Sequence, residues 1–481
     1  MKLQRHLVLL GLFAVSAANA DNFTQQNTDK AKAIIDAAVT AHGGDELLQD
    51  LQTLVIENRT VNYSVDQSRG TEAPWDTSIA EGLDAIDVEN SIFVNVAKGS
   101  GGGFENHGKT IISGDESFQL DFRAGTVARI AEPDFATTSG PFVRVTPALL
   151  VRTLKEREAN AHYLGETSID GTDYNIVGFS MTVGPAISMY IEKDTNLLRR
   201  SERVFPGFGL VEYRFDDYET KNSIPHNRKF TLYLNGDVNL ERENKSLRAN
   251  VPLDDIVSVP ESLVAIPEVQ PDPLTRQELA DGVWLIGGSG TYGLFVDMGA
   301  YIFAAGGTGG IADRIDSLRE VVADTPIRYG MMTHHHFDHV LAVGAYEEEG
   351  ATIIAARAHE RIVRRNSDNG EELDVMLVDD RHGLEENGRR VEIIDIGPTA
   401  HTEHLLVAWL PEERILFEAD HFAMPRVGPV PPAVTSTKTF AKALEKAGLD
   451  PKLIVSAHSP RPGTMADLQQ ALETREFQAQ R

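Results

Sequence analysis

The chain of 481 residues contains no cysteine. Disulfide bonds are therefore excluded, and so are thiolate metal ligands and a cysteine nucleophile. A chain without disulfides must be held together by its hydrophobic cores. Its length exceeds that of one ordinary core, so we expect two domains.

Positive charge is also scarce. The chain has 45 lysine and arginine residues against 72 aspartate and glutamate residues, which gives a formal net charge of -27 at pH 7. Nucleic acids and anionic membranes need a basic surface to neutralise their phosphates, so neither is expected as the main partner. We expect a small-molecule substrate instead, while the oligomeric state is left open.

Long apolar runs are absent beyond the N-terminus. Lys2 and Arg5 accompany the run "LVLLGLFAVSA", and Ala18 to Ala20 form a small-x-small cleavage site. The run is too short to span a bilayer, and the pattern is typical of a secretory signal peptide. We therefore predict a signal peptide over residues 1–20, cleavage after Ala20, and export to the periplasm or the extracellular space without stable membrane insertion.

Proline is concentrated in one segment, at positions 260, 267, 271 and 273. This density favours an extended linker over a helix or a central strand. We place a domain boundary near residue 270. The prediction is an accessory domain over residues 21–267 and a second domain over residues 268–481 that begins with the linker.

The accessory domain is predicted to be an α+β domain. "TDKAKAIIDAAVTAHGG" has helical apolar spacing and ends at a glycine pair, and the segments after it alternate apolar and polar residues like strands of a curved antiparallel sheet. "MYIEKDTNLLRRSERV" resembles the strand-turn-strand units of periplasmic lipoprotein-carrier and related sheet proteins. A structural or substrate-shaping role and a lipid- or ligand-binding role both stay open.

The second domain alternates strands and helices, and its densest chemistry is "THHHFDH" at residues 333–339. If the segment is extended, His334 and His336 point the same way, with Asp338 and His339 in the turn that follows. Imidazole and carboxylate groups are ligands for zinc, iron or manganese. Four titratable groups after the buried strand "IRYGMMTH" would be costly to bury without a shared partner, so the pattern predicts a metal site.

Three segments together resemble the metallo-β-lactamase superfamily. They are the H-x-H-x-D-H motif, the block "GPTAHTEHLLVAWLPEERILFEADHF" and the late strand "LIVSAHSP". The resemblance covers about 200 residues and does not reach the accessory domain. It implies an αβ/βα four-layer fold for the second domain, and it maps further ligands onto His401, Asp420 and His458.

The resemblance also implies how the ligands divide between two ions, most simply zinc, with iron or manganese as possible substitutes. His334, His336 and His401 would hold the first ion. Asp338, His339 and His458 would hold the second, with Asp420 bridging the two ions or bound to the second. Asp338 is the expected catalytic residue, because it would orient a hydroxide shared by the ions and then handle a proton.

Two positions depart from the superfamily pattern. Ala304 and Ala305 end a strand where an aspartate is usual, and residues 340–342, Val-Leu-Ala, stand where a glycine pair is usual. Neither change removes a ligand. Among the remaining histidines, His335 is expected to point to the opposite face of the strand, packed or solvated. Those at 404 and 421 are expected to be neighbours of the proposed ligands, with contact to substrate as the alternative, and those at 359 and 382 to be surface or loop residues.

The resulting functional prediction is an exported metal-dependent hydrolase. It would use a hydroxide bound by two metals to cleave an ester, lactone, amide or related bond. Two alternatives stay open: a secreted lipid- or ligand-binding protein with a structural metal domain, and a mono-iron oxidoreductase of the same superfamily. The presence of both His339 and His458 favours the two-metal hydrolase.

Overall fold

The structure is a computed structural model, and it describes residues 22–477 except 115, 207, 208, 222, 269, 271 and 323. The predicted signal peptide over residues 1–20 lies outside the described residues. None of the described helices is long and apolar enough to cross a membrane.

Helices occur along the whole described part of the chain and are numbered in chain order. They are α1 Phe23–Ala41, α2 Asp45–Gln49, α3 Phe135–Arg144, α4 Pro147–Glu156, α5 Asp254–Val257, α6 Ile311–Arg319, α7 Val343–Glu348, α8 Glu360–Arg365, α9 Thr435–Ala447 and α10 Met465–Glu473. Short 3-10 helices cover Glu158–Asn160, Phe337–His339 and Arg357–His359.

The first strands along the chain are β1 Thr53–Tyr63, β2 Thr77–Asp87, β3 Ile92–Gly101, β4 Phe104–Ser113, β5 Phe118–Asp121, β6 Thr126–Arg129, β7 His162–Ile169, β8 Thr172–Phe179, β9 Ile187–Glu192, β10 Leu198–Phe205, β11 Gly209–Lys221, β12 Ile224–Leu234 and β13 Asp237–Ala249. The later ones are β14 Val264–Ala265, β15 Thr275–Ala280, β16 Val283–Gly288, β17 Thr291–Asp297, β18 Ile302–Ala305, β19 Ile327–Met331, β20 Thr352–Ala356, β21 Val375–Val378, β22 Arg381–Glu386, β23 Arg389–Asp395, β24 Leu406–Leu410, β25 Ile415–Glu418 and β26 Leu453–Ser456.

The chain forms two compact units that are not contiguous in sequence. The first contains the described residues up to Ile56 and Phe135–Val251, and the second contains Glu57–Asp134 and everything described from Pro252 onwards. Residues 57–134, which the sequence places in the accessory domain, therefore share a unit with the histidine motif. Separate folding of residues 21–267 and 268–481 stays a prediction.

In the first unit, the predicted N-terminal helix is α1. Asn22 caps it by accepting a hydrogen bond from the backbone N–H of Thr24, and it ends where Gly43 and Gly44 take positive φ angles that favour glycine. Its buried face consists of the predicted residues Ala31, Ile34, Ile35, Ala38 and Val39. Each strand from β7 to β12 pairs antiparallel with the next strand along the chain, up to β13. The predicted curvature of this sheet stays a prediction.

The second unit contains several sheets. Strands β2 to β6 form an antiparallel meander, and β14 pairs parallel with β6. A seven-stranded sheet has the order β15-β16-β17-β18-β19-β20-β21, and a five-stranded sheet has the order β22-β23-β24-β25-β26. Both are mixed, since β18 to β21 run parallel in the first and β25 and β26 run parallel in the second.

Three apolar clusters hold these two sheets and their helices together. One cluster joins the seven-stranded and five-stranded sheets through side chains such as Phe303 and Phe417. A second cluster packs helices α6, α7 and α8 on the seven-stranded sheet, and a third packs α9 and α10 on the five-stranded sheet. These contacts agree with the mixed α/β domain expected for the C-terminal part, while the four-layer arrangement itself stays a prediction.

Candidate metal centre

The predicted site residues follow the ends of buried strands. The histidine motif begins just after β19, and it is joined to β24 by a hydrogen bond from Leu406 N–H to the Thr333 carbonyl (2.8 Å). His334 to His336 form a bend rather than an extended segment, and Asp338 and His339 lie in the 3-10 turn that follows. The parallel strands β25 and β26 end just before Asp420 and His458, so they deliver these two side chains to the same edge of their sheet.

The folded chain brings all seven predicted ligands together. Their ligand atoms fall into three sets, in each of which the atoms lie within 4.8 Å of one another: His334, His336 and His401; Asp338, His339 and His458; and His334, His339 and Asp420. The first two sets have the membership that the family resemblance implies for the first and second ions.

Asp420 lies between the two triads. Its Oδ2 is 3.3 Å from His334 Nε2 and 3.2 Å from His401 Nε2. Its Oδ1 is 3.1 Å from His339 Nε2 and 3.1 Å from His458 Nε2. One carboxylate therefore presents one oxygen to each triad, which is the position a bridging ligand requires.

Backbone carbonyls orient three of the imidazole rings. A carbonyl only accepts, so the ring nitrogen facing it carries a proton and the other ring nitrogen is the one turned toward the site. These contacts are His336 Nε2 to Ser68 O (2.9 Å), His401 Nδ1 to Gly102 O (3.2 Å) and His458 Nδ1 to Gly290 O (3.1 Å).

Two buried ring nitrogens of the first triad are suited to bind a cation. Among the described residues, the buried atoms His334 Nε2 and His336 Nδ1 have no hydrogen-bond partner. A buried polar atom without a partner costs free energy, and such atoms are rare in folded proteins. A divalent metal ion would satisfy both nitrogens at once, so the residues present fit the metal centre that the sequence predicts.

The carboxylates of the site are held in their charged form. Burial alone would raise the pKa of Asp420, but the charge of His339 and hydrogen bonds from His339, His401 and His458 hold that pKa well below its usual range. Burial also opposes the ionisation of Asp338, and hydrogen bonds from His339 and His458 again lower its pKa. Both acidic groups are therefore ready to bind a cation without first losing a proton.

The imidazoles of the second triad respond to the same carboxylates. Burial lowers the pKa of His339, yet Asp420 and Asp338 outweigh burial and raise it to about 9. For His458 the same balance raises the pKa to about 10. Protons on these rings stand where a metal would supply positive charge, so metal binding should release them.

The two triads differ in their access to solvent. The side chains of His334 and His401 are 0% and 8% exposed, whereas those of Asp338 and His458 are 33% and 30% exposed. Asp338 and His458 therefore form the accessible side of the centre, while His339 is buried.

The histidines at 335, 359 and 382, which the sequence places outside the ligand set, differ in their surroundings. His335 is buried, with its Nε2 3.1 Å from the Gly70 carbonyl. The prediction of a surface or loop position for His359 is wrong, because that side chain is buried and its ring lies 4.8 Å from that of His335. The cause is tertiary packing, which a single histidine in a sequence does not reveal. His382 lies in β22 and is half-buried.

His404 and His421 lie outside the ligand set and contact neighbouring residues, and the ring of His421 also lies edge-on to that of His401 at 5.5 Å. His404 Nδ1 is 2.6 Å from Asp395 Oδ2. His421 lies between Glu418 and Thr399, with its Nε2 2.9 Å from the threonine hydroxyl. Both positions agree with the expectation of neighbours outside the ligand set.

Residues 57–134 contribute to the site in a way that the sequence patterns do not predict. Ser68 and Gly102 supply two of the orienting carbonyls, and Gln67 Nε2 donates to Asp338 Oδ1 over 2.7 Å. These contacts join positions more than 260 residues apart for Ser68 and Gln67. Nothing in the local pattern around Gln67 marks it, because its role depends entirely on tertiary structure.

A glycine pair after β18 is a local sequence feature that indicates the site. A Cβ added to Gly307, just after β18, would lie 1.8 Å from the carbonyl oxygen of His339. Only glycine allows the backbone after this strand to approach the ligand turn so closely. The Gly306-Gly307 pair in "AYIFAAGG" therefore marks the site even though Ala304 and Ala305 replace the usual aspartate.

A family model matches the part of the chain that carries these side chains. The family model described as "Metallo-beta-lactamase superfamily" matches residues 287–458, a range that contains all seven converging side chains. No curated protein matches the chain.

The solved structures with a similar fold include metallo-beta-lactamases and flavodiiron proteins. A metallo-beta-lactamase from Pontibacter korlensis is 18% identical, covers 42% of this chain and 97% of its own, and has a TM-score of 0.34. The metallo-beta-lactamase FIM-1 from Pseudomonas aeruginosa, in its mono-zinc form, is 21% identical over 42% of this chain and 94% of its own, with a TM-score of 0.33. A flavodiiron protein from Giardia intestinalis is 18% identical over 42% of this chain and 58% of its own, also with a TM-score of 0.33. Residues 287–458 of this chain are therefore similar to the metallo-beta-lactamase superfamily, in the part of the chain where the sequence resemblance lies.

Proposed function

We propose that the protein is a metal-dependent hydrolase that holds two divalent ions and cleaves an ester, lactone, amide or related bond in a small molecule. His334, His336 and His401 would hold one ion, and Asp338, His339 and His458 the other. Asp420 would contact both. The observation that carries the proposal is the placement of Asp420, whose two oxygens face one triad each at 3.1 to 3.3 Å.

The two metal ions would act as Lewis acids. When bound, divalent ions polarise a carbonyl or phosphoryl oxygen and lower the pKa of water toward neutrality. Imidazole and carboxylate ligands suit zinc best, and iron or manganese would also be accepted by this set. We propose zinc as the native metal.

Asp338 is the group best placed to handle a proton. Its carboxylate is one-third exposed and lies at the accessible side of the centre. Oδ1 accepts from Gln67, while Oδ2 faces His339 at 3.2 Å and His458 at 3.6 Å. An ionised carboxylate in this position can accept a hydrogen bond from a nucleophilic water and pass the proton to the leaving group.

The chain's own geometry disfavours a purely structural metal. Structural sites are usually closed by four protein ligands, whereas catalytic sites keep a position open. Here the second triad is about one-third exposed at Asp338 and His458. Accessible ligands are expected where a substrate must approach, and a carrier protein with a structural metal would not need them.

A substrate panel tests the proposal. Purified protein reconstituted with zinc, and separately with iron or manganese, would be assayed against esters, lactones, β-lactams and phosphodiesters. We expect turnover of at least one class with zinc, abolished by a chelator and restored by the metal. Lipid or ligand binding without turnover would support the carrier alternative, and redox activity of an iron-loaded protein would support the oxidoreductase alternative.

We also propose that the protein acts outside the cytoplasm after cleavage at Ala20. The support is the sequence pattern of residues 1–20. N-terminal sequencing of the protein recovered from the periplasm or the medium should begin at Asp21. Recovery of the uncleaved chain from the cytoplasm alone would refute export.

A further inference from the structure

The loop between β1 and β2, residues 64–76, has a shape of its own. Gln67 N–H donates to the Ser64 carbonyl over 3.0 Å. The Ser68 hydroxyl donates to the same carbonyl over 2.9 Å and accepts from the Asp76 N–H over 2.7 Å. These bonds do not involve the Gln67 side chain, so that side chain can be changed without removing what fixes the loop.

The loop is also attached to both parts of the ligand set. The Asp66 carbonyl accepts from the Phe337 N–H over 3.1 Å, directly beside Asp338. The Arg69 carbonyl accepts from the Glu403 N–H over 3.0 Å, two residues after His401. Gln67 therefore reaches the site from a backbone that is fixed on both sides of it.

The Gln67 side chain makes one contact with a ligand. Its Nε2 lies 2.7 Å from Asp338 Oδ1, while Asp338 Oδ2 faces His339 and His458. A carboxylate can rotate about its last torsion, and either oxygen can turn toward the ligands. A donor on Oδ1 restricts that rotation, because the hydrogen bond is lost at intermediate torsion angles and forms again only when a carboxylate oxygen faces Gln67.

The geometry points to Gln67 as a positioning residue of the second metal site, supplied by a segment outside the family-matched range of residues 287–458. It would hold the Asp338 carboxylate with Oδ2 directed at the ion and so raise the affinity for that ion. Partners of metal ligands typically contribute a factor of about 10 to 100 in affinity. This inference rests on the proposed two-metal site but not on hydrolysis.

Zinc affinity tests the inference without reference to turnover. Gln67→Met keeps the length of the side chain and removes the donor. Competition with a chromophoric chelator should show a second zinc bound about 10 to 100 times more weakly than in the unchanged protein, with the first zinc unaffected. Gln277→Met, at an exposed position on β15, is the matched control and should bind both ions as the unchanged protein does.

A double-mutant cycle separates positioning from a general effect on structure. If Gln67 acts through Asp338, then Gln67→Met should have no further effect on zinc affinity when Asp338 is already alanine. A general loosening of the loop would weaken binding equally in both backgrounds. Gln67→Glu, measured at pH 8, gives a second variant that lacks the amide and sets a second negative charge beside Asp338.

Each outcome decides the matter. The inference is supported if Gln67→Met weakens binding of the second zinc and if the same substitution causes no further weakening when Asp338 is already alanine. This holds even if no hydrolysed substrate is found. Wild-type affinity for both ions in Gln67→Met overturns it, even if the protein is a hydrolase. An undiminished effect in the Asp338→Ala background, or a single zinc in the unchanged protein, also overturns it. Should Gln67→Met fail to fold, the affinity of Gln67→Glu for the second zinc supports or overturns the inference by the same criteria.

Discussion

Replacement of Asp338 by asparagine separates catalysis from structure. Asparagine has nearly the same shape, but it carries no charge and cannot accept a proton. Gln67 donates to Asp338 Oδ1, so the oxygen of an asparagine would stay on that side. Its NH₂ group would then face His339 and His458, where Oδ2 now lies at 3.2 and 3.6 Å. The variant therefore presents a donor where a metal ligand is needed.

The size of the effect follows from this geometry. Loss of a positioned acid-base group usually lowers turnover by a factor of about 10² to 10⁴, which corresponds to about 3 to 5 kcal/mol of transition-state stabilisation. The fold should change little, because the first triad and the apolar clusters are untouched. The assay is turnover on the best substrate of the panel, with melting temperature and metal content measured on the same sample.

The control for this variant is Asp379→Asn. Asp379 is exposed and pairs with Arg357 on the surface, so its replacement should leave turnover unchanged. Full turnover in Asp338→Asn would refute the assignment of the proton-handling role. A fall in melting temperature without any activity to lose would instead favour a structural metal.

Three further predictions concern other parts of the chain. Burial lowers the pKa of His42 to about 4, so its neutral form is favoured in the fold. The free energy of unfolding should therefore fall by up to about 3 kcal/mol between pH 6.5 and pH 4. Urea titrations of His42→Leu should lack this part of the pH dependence. Gly307→Ala places a Cβ 1.8 Å from the His339 carbonyl oxygen, so a calorimetric scan should show a lower melting temperature, and chelator competition should show weaker binding of the second zinc. Limited proteolysis should cut within residues 257–277. Separate elution of two folded fragments would support the contiguous division predicted from the sequence, whereas fragments that elute together would show that residues 57–134 stay with the C-terminal part, as they do in the compact units.

Local patterns were sufficient where the structure depends on neighbours in sequence. The apolar spacing of Ala31 to Val39 predicted the buried face of α1, since helical periodicity is a local property. The motif beginning at His334 predicted the converging side chains, because metal ligands need particular residue types at particular spacings. His401, Asp420 and His458 lie far from that motif, and it was the family resemblance that identified them.

Tertiary contacts determine the features that the sequence did not predict. The contacts of Gln67 and Ser68 with the ligands span more than 260 residues, and no spacing rule connects them. The burial of His359 arises from packing beside His335. The composition of the two compact units has the same origin, because the proline-rich segment marks a linker in the sequence but does not reveal which strands pack with the domain that follows.

We have proposed that seven side chains hold two ions, with Asp420 between them. The most direct test is elemental analysis of the full chain after reconstitution with excess zinc and removal of the unbound metal. We expect two zinc ions per chain, with Asp420→Ala binding fewer than two. A ratio of one or zero in the unchanged protein, with His339 and His458 intact, would contradict it.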